Sequence, residues 1–300
     1  MKIFDLAVSY TWIYDSDFVN FIEEVFQKEG LSTFLIQDHN ISEVTQLVSE
    51  EKIIFKAYLD RASDLDAKYD ELATILTQKN VFMINPHSVV ESAINKSAIH
   101  YKLINNGFIV PNSIIVPSYN ESTSLNISDE DLSKIGKPFI IKPSLDTGGG
   151  EGVILNAKSL EDIQQERQKY PYEVYLIQEI VRPKLIMGKR AWFRVFWFFD
   201  KAIPTWWDDK VHVYNLINDE ERTNYNLIKL EEIATKLASL VKLDYFSTEI
   251  ALTEKGDFVL VDYINDQCDM RLKSKHKDGV PDELVKEFII RMKNKISSLQ

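Results

Sequence analysis

Two β-prone runs near the end of the chain each carry one carboxylate where the apolar pattern predicts an interior: Phe246-Ser247-Thr248-Glu249-Ile250-Ala251-Leu252 and Phe258-Val259-Leu260-Val261-Asp262-Tyr263-Ile264-Asn265. The turn signal Thr253-Glu254-Lys255-Gly256-Asp257 between them predicts a β-hairpin. A two-residue Lys255-Gly256 turn, or any even-length loop, sets Glu249 directly opposite Asp262 on one sheet face. Like charges facing each other are destabilising and a buried unpaired carboxylate is costly, so something must compensate. A divalent cation is one answer. Hard ions such as magnesium take carboxylate and amide oxygens and keep positions for substrate phosphates, and Asn265 adds an amide oxygen. The other answers are an Arg or Lys from elsewhere, or an odd-length loop that parts the two acids.

A second set of residues suits an anion. Lys142 ends the apolar strand Pro138-Phe139-Ile140-Ile141-Lys142, and Pro143-Ser144-Leu145-Asp146-Thr147-Gly148-Gly149-Gly150-Glu151-Gly152 follows, holding four of the ten glycines. Glycine lets backbone N–H groups turn toward a ligand at close range, and such a nest beside a lysine fits polyphosphate. No Gly-Lys-Ser or Gly-Lys-Thr closes the loop, so it is not a Walker motif, and a structural glycine-rich hairpin is the competing reading. Farther on, Val174 to Val181 is an apolar run that turns polar at Gln178-Glu179. Arg190 to Phe199 reads as one strand crowded with aromatics, with Arg194 on the face of Trp192 and Phe196 by period two. There Arg194 either stacks on aromatics, pairs in the core, or meets a ligand.

The elements that must position these groups are legible in outline. Apolar runs near 3 to 9, 32 to 37, 52 to 58 and 81 to 84 alternate with amphipathic segments, which predicts a parallel α/β module. One helix is expected over Asp17–Glu29, with Phe18, Phe21, Ile22, Val25 and Phe26 on its stripe and Gly30 as its stop. Another is expected over Asp64–Gln78, with Leu65, Tyr69, Leu72, Ile75 and Leu76. No glycine-rich dinucleotide fingerprint follows the first strand, which argues against a nicotinamide cofactor. Asn85-Pro86 marks a boundary, a helix runs through Lys96 to Asn106, and Gly107 and Pro111 stop it. Ser118 to Asn126 is a polar loop, and Ser128 with Asp131 predicts a capping box.

Taken in order, the lysine strand, glycine-rich loop, Gln-Glu hinge, arginine strand and acidic hairpin resemble the ATP-grasp superfamily, in particular its carboxylate–amine ligases such as D-alanine–D-alanine ligase and glutathione synthetase. The resemblance covers roughly residues 85 to 290. It implies an ATP-grasp fold, two α+β subdomains clasping ATP, preceded by the parallel α/β module. The expected domains are 1–88, 89–178 with the glycine-rich loop, and 179–300 with the metal site. It implies ATP contacts from Lys96, Lys142, Ser144, Gly148, Gly149, Gly150, Gln178, Glu179 and Val181. Glu249, Asp262 and Asn265 would hold magnesium, with manganese as an alternative, and Arg194 and Arg271 would neutralise the transferred phosphoryl or the acyl intermediate. The chain departs from the family at Asp262-Tyr263-Ile264-Asn265, which stands where Glu-x-Asn is usual, so Asp266 competes with Asn265 as third ligand. The usual ribose-binding acid after the hinge is also missing, since Arg182, Lys184, Lys189 and Arg190 occupy that stretch. Trp206 to Asp209, His212 and Tyr214, and Asp269 to His276 lie where acceptor contacts are expected, with His212 a candidate general base.

Composition narrows the classes. A 300-residue chain, 45% hydrophobic and 27% charged, has ample length for a packed core. No apolar run is long enough to span a bilayer, and Asp5 interrupts what would be a signal segment. Cys268 is the single cysteine, which excludes an internal disulfide and fits a cytoplasmic protein. The formal net charge of −11 opposes general binding to nucleic acid or anionic membranes. The expected activity is an ATP- and magnesium-dependent ligase joining a small-molecule or peptide carboxylate to an amine. A small-molecule kinase and a non-catalytic nucleotide-binding regulator are the rivals, and the oligomeric state stays open, a homodimer included.

Overall fold

The computed structural model describes residues 1–145 and 152–299. The N-terminal alternation builds a four-stranded parallel sheet, β1 (Lys2–Tyr10), β2 (Thr33–Ile36), β3 (Ile53–Arg61) and β4 (Phe82–Ile84), in the order β2-β1-β3-β4. Helices α1 (Ser16–Lys28), α2 (Ile41–Ser49) and α3 (Asp70–Gln78) make the crossovers. Period two sets the faces: Ile53, Phe55 and Ala57 of β3 are buried while Ile54 and Lys56 are exposed. α2 and α3 lay Val44, Val48, Leu72 and Leu76 on the buried face. α1 matches its expected stripe, with Phe18, Ile22 and Phe26 fully buried. The helix expected from Asp64 begins only at Asp70. The Asp66 side chain accepts the Lys68 N–H and holds a 3-10 turn at Ala67–Tyr69, which leaves Leu65 68% exposed.

The chain continues through α4 (His87–Ile94) and α5 (Lys96–Asn105), separated by Asn95, whose side chain caps α5. β5 (Ser113–Val116), α6 (Asp129–Ile135), β6 (Phe139–Pro143), β7 (Ile154–Ala157), α7 (Leu160–Lys169) and β8 (Tyr175–Gln178) follow. Their strands form an antiparallel sheet ordered β5-β8-β6-β7, and the Ser128–Asp131 capping box opens α6 as expected. The single strand expected over Arg190–Phe199 is divided. β9 (Leu185–Ile186) and β10 (Lys189–Arg190) form a hairpin whose turn, Met187-Gly188, has φ of 51° and 75°, and β11 begins at Trp192 and ends at Phe198. Two consecutive left-handed residues are what a tight hairpin turn demands, and Gly188 supplies one at no steric cost.

β12 (Lys201–Asp208), β13 (Val213–Leu216), α8 (Asp219–Asn224), α9 (Ile228–Val241), β14 (Tyr245–Leu252), β15 (Phe258–Asn265) and α10 (Asp282–Ser297) complete the chain. Sheet order is β13-β12-β11-β14-β15. The chain divides into two compact units, one of Met1–Val90, Arg194–Ser247 and the segment from Asp266 to the end, the other of Glu91–Phe193 with Thr248–Asn265. In the first, Phe288 of α10 packs on Phe18, Phe198 and Tyr245 at ring distances of 5.9, 5.2 and 4.6 Å. In the second, Phe139 and Ile141 of β6 pack with Leu132, Ile135 and Ile163. No helix among the described residues is long and apolar enough to cross a membrane.

Candidate active site

β6 alternates strictly: Phe139, Ile141 and Pro143 are buried, while Ile140 and Lys142 are half-buried on the other face. Ile140 pairs with Gln178 and Lys142 with Leu176, so Lys142 and Gln178 share that face. The Lys142 ammonium donates to Asp262 Oδ1 of β15 at 2.7 Å, with side-chain exposures of 13% and 29%. Two residues far apart in sequence, one implied for phosphate and one for metal, are therefore in charge contact inside one unit.

The start of the glycine-rich loop is tied to the N-terminus of α5. Ser144 is buried, its C=O accepts the Lys96 N–H at 3.0 Å, and its hydroxyl accepts the Ser97 N–H at 2.9 Å while donating to Asn95 Oδ1 at 2.8 Å. The Ser144 and Leu145 N–H groups both donate to Glu173 Oε1. Lys96, 7% exposed, thus sits on the helix turn that clasps the loop's first residue. At the far end, Gly152 has φ of 71°, and a Cβ there would lie 3.0 Å from Pro143 Cγ, so a side chain would be strained twice over. Gly148, Gly149 and Gly150 lie outside the described residues.

At the hinge, the Glu179 carboxylate accepts from Asn112, whose backbone N–H and side-chain amide donate to Oε1 and Oε2 at 2.9 and 3.0 Å, and the Glu179 N–H donates to the Asn112 C=O at 3.0 Å. The half-buried Val181 lies two residues on. The Gln178 amide donates to Ser113 Oγ at 3.0 Å. Neither Asn112 nor Ser113 was legible as a site residue, because each acts through a non-local contact. His100 was also missed. Four residues after Lys96 on α5, it stacks on Tyr263 and shares a 2.7 Å hydrogen bond with its hydroxyl. Burial holds His100 below its ordinary pKa and pushes the Tyr263 hydroxyl well above its own.

The acidic hairpin differs from its expected form in one respect. Thr253 N–H donates to the Asp257 C=O and Gly256 N–H to the Thr253 C=O, each at 3.0 Å, so the loop holds three residues rather than two. Gly256, at φ of 85°, is the extra left-handed residue. Regular pairing from an odd loop sets Thr248, not Glu249, opposite Asp262, and the Thr248 hydroxyl indeed donates to the Asp262 C=O at 2.8 Å. Each acid has its own protein donor: Lys142 for Asp262, and the Trp192 indole N–H for Glu249 Oε2 at 2.9 Å. Asn265, half-buried, ends β15. Among the described residues no group of three His, Cys, Asp or Glu is gathered. The odd loop thus parts the two acids, against the expected facing pair, and the structure does not gather Glu249, Asp262 and Asn265 as one set; a single carboxylate with waters and phosphate oxygens is what either face offers a magnesium ion.

The arginines lie in the other unit. Arg194 sits 4.7 Å over the Trp207 ring, and its Nη1 reaches Ser247 Oγ at 3.4 Å, so the stacking reading describes it. His212, at φ of 55°, stacks on the same Trp207 ring at 5.4 Å. Arg271 is bound by Asp269 and Asp278, with Nη2 at 2.8 and 2.9 Å from their oxygens, and its guanidinium lies 5.4 Å over Trp12. Gly279 is required beside it, because a Cβ would come within 2.6 Å of the Arg271 C=O. Asp266, the rival of Asn265, is lifted to about 6 by burial, with the Asp64 charge adding to the shift.

No family model and no curated protein matches the sequence. Solved structures do match the fold. The chain is similar to the ATP-grasp ligase PsnB complexed with minimal precursor, Mg and ADP, at 15% identity over 96% of this chain and 98% of that one, with a TM-score of 0.62. It is similar to the D-alanine–D-alanine ligase of Bacillus anthracis complexed with ATP, at 13% identity over 99% and 98%, with a TM-score of 0.64. A RimK-domain ATP-grasp protein of Sphaerobacter thermophilus matches at 16% identity over 95% and 98%, with a TM-score of 0.61. Near-complete coverage in both directions, the N-terminal parallel sheet included, carries one conclusion: the chain has the ATP-grasp fold.

Proposed function

We propose that the protein is an ATP- and magnesium-dependent ligase that activates a carboxylate as its acyl phosphate and joins it to an amine. The observation that carries this reading is the 2.7 Å contact of Lys142 with Asp262. It brings a phosphate-type cation and a metal-type carboxylate to one place, which is the juxtaposition phosphoryl transfer needs. Lys142 and Lys96 hold the nucleotide phosphates, Gln178 and the backbone from Glu179 to Val181 meet the base, and Asp262, beside Lys142, is the carboxylate we assign to magnesium. Magnesium in that position supplies charge neutralisation to the transferred phosphoryl. Ser144 serves as an anchor to α5, because its hydroxyl is committed to Ser97 and Asn95. Arg194, stacked over Trp207, and Arg271, bound by two aspartates, we read as braces within their own unit. The likeness to PsnB, also solved with a precursor peptide, and to a D-alanine–D-alanine ligase supports a peptide or amino-acid carboxylate as substrate. The test is to incubate the protein with ATP, magnesium and pools of amino acids or short peptides in hydroxylamine. An acyl phosphate yields a hydroxamate with ADP, whereas a kinase yields a phosphate ester and no hydroxamate.

A further inference from the structure

We infer that the turn Trp12-Ile13-Tyr14, with the loop from Leu272 to Val280, forms a docking surface for an acidic peptide segment that carries an aromatic anchor. These residues lie in the unit that holds the parallel sheet, and none of them belongs to the nucleotide site proposed above. The three large side chains follow β1 and all are exposed, Ile13 at 71%. Single exposed apolar residues are ordinary on a folded surface, whereas a contiguous run marks an interaction site. The turn is pinned. The Asp15 N–H donates to the Trp12 C=O at 2.9 Å, and the buried Asp15 carboxylate takes Arg61 Nε and Nη2 at 2.8 and 2.9 Å. The rings are braced as well: Trp12 and Tyr14 meet edge to face at 5.2 Å, Arg271 lies 5.4 Å over Trp12, and His276 meets Tyr14 at 5.7 Å. Aromatic surface already held in place loses little freedom on binding, which suits Trp and Tyr to the centre of an interface.

The neighbouring charges choose the partner. The acids here are engaged: Asp269 and Asp278 by Arg271, and Asp17 by His276, whose Nε2 lies 3.8 Å away. Lys275 and Lys277 flank His276 and are exposed, and their ammonium groups meet no acid among the described residues. The loop that presents them is fixed by its backbone. Lys275 and His276 N–H both donate to the Leu272 C=O, at 2.9 and 2.8 Å, and the Val280 N–H donates to the Arg271 C=O at 2.8 Å. Two open ammonium groups beside a ring platform complement carboxylates beside a ring. Single-stranded nucleic acid also combines rings with negative charge, but its charge repeats along its whole length and meets the repulsion of a chain of net charge −11. A short peptide can confine its carboxylates to the two lysines, within the roughly 8 Å over which charges act at physiological salt.

Fluorescence anisotropy on the full chain, without nucleotide, tests this with four labelled probes: a short peptide with a central Phe flanked by Glu, the same peptide with Ala for Phe, the same with Lys for each Glu, and an oligodeoxythymidylate. The Glu–Phe peptide should bind saturably, and either change to the peptide should weaken it by about tenfold or more. Ile13→Ser, and Lys275→Glu combined with Lys277→Glu, alter only exposed side chains, so melting curves should match that of the unsubstituted protein. Each variant should weaken the Glu–Phe peptide about tenfold, and the lysine variant should gain affinity for the Lys peptide. No saturable binding up to about 1 mM, equal binding of the Ala peptide, or unchanged affinity in either variant overturns the docking surface. Tighter binding of the oligonucleotide than of the Glu–Phe peptide overturns it in favour of nucleic acid. Because no nucleotide enters this assay, its failure leaves the hydroxamate test of the ligase reading untouched.

Discussion

Lys142 and Arg271 are both cations paired with aspartate, in different units and in different ways. Lys142 meets an Asp262 carboxylate oxygen across 120 residues of chain, through its ammonium. Arg271 is gripped by Asp269 and Asp278, two and seven residues away, with Nε, Nη1 and Nη2 all engaged. An ammonium on a flexible stem has no preferred contact direction and exchanges partners at low cost, whereas a guanidinium fork held by two carboxylates has its orientation fixed. Arg61 repeats the second pattern in deeper form: its Nε and Nη2 bind Asp15 at 2.8 and 2.9 Å, and both residues are at most 5% exposed. The comparison separates a charge we propose is kept for a ligand from charges that hold the fold, and each class should respond differently to substitution.

The largest expected effect falls on the ligand side. Glu249→Gln keeps an oxygen for the Trp192 indole N–H, so the melting temperature should hardly move. If Glu249 joins Asp262 at the metal despite the odd loop, loss of the charge should cut ATP turnover by about a thousandfold or more, on the order of 4 kcal/mol of transition-state stabilisation. Steady-state ADP release from the purified variant checks this, and full activity would remove Glu249 from the metal set. On the fold side, Arg61→Leu leaves Asp15 buried and unpaired, and breaking such a pair costs about 3–5 kcal/mol. Denaturant titration should show that loss while nucleotide affinity stays the same. A nucleotide-binding defect at constant stability would erase the distinction between the two classes.

What was legible in the sequence follows the same division. Local periodicity marked the parallel sheet, α1 and the capping box at Ser128–Asp131, because apolar alternation and cap chemistry are short-range rules. The strand position of Lys142 and the acidic hairpin were legible for the same reason. The parity of the hairpin loop was not, because it depends on Gly256 entering the left-handed region, which the residue allows but does not compel. Partners reached only by tertiary folding were also hidden: Asn112 for Glu179, Trp192 for Glu249, and Lys142 for Asp262. His100 was the nearest to legible, since its spacing from Lys96 places both on one face of α5. A lone histidine on a helix, however, names no partner, and Tyr263 comes from a strand 163 residues later.

The smallest expected effect is the one that tests the comparison most directly. Arg271→Lys keeps the charge but gives up the fork, so Asp269 and Asp278 can no longer both be met with the present geometry. Its pairing with Asp269, first by hydrogen bond, holds Arg271 above its ordinary pKa, which marks it as a permanent cation in this setting. The side chain is partly exposed and solvent screens the pair, so the stability cost should be modest, about 1 kcal/mol. Were Arg271 instead a donor to the oxyanion formed during acyl transfer, losing one such donor would cost roughly a hundredfold or more in rate. Melting temperature and single-turnover ADP formation measured on the same variant separate the two roles. A small drop in melting temperature with unchanged kinetics keeps Arg271 among the braces, while a hundredfold kinetic loss at unchanged stability would move it beside Lys142 as a charge kept for a ligand.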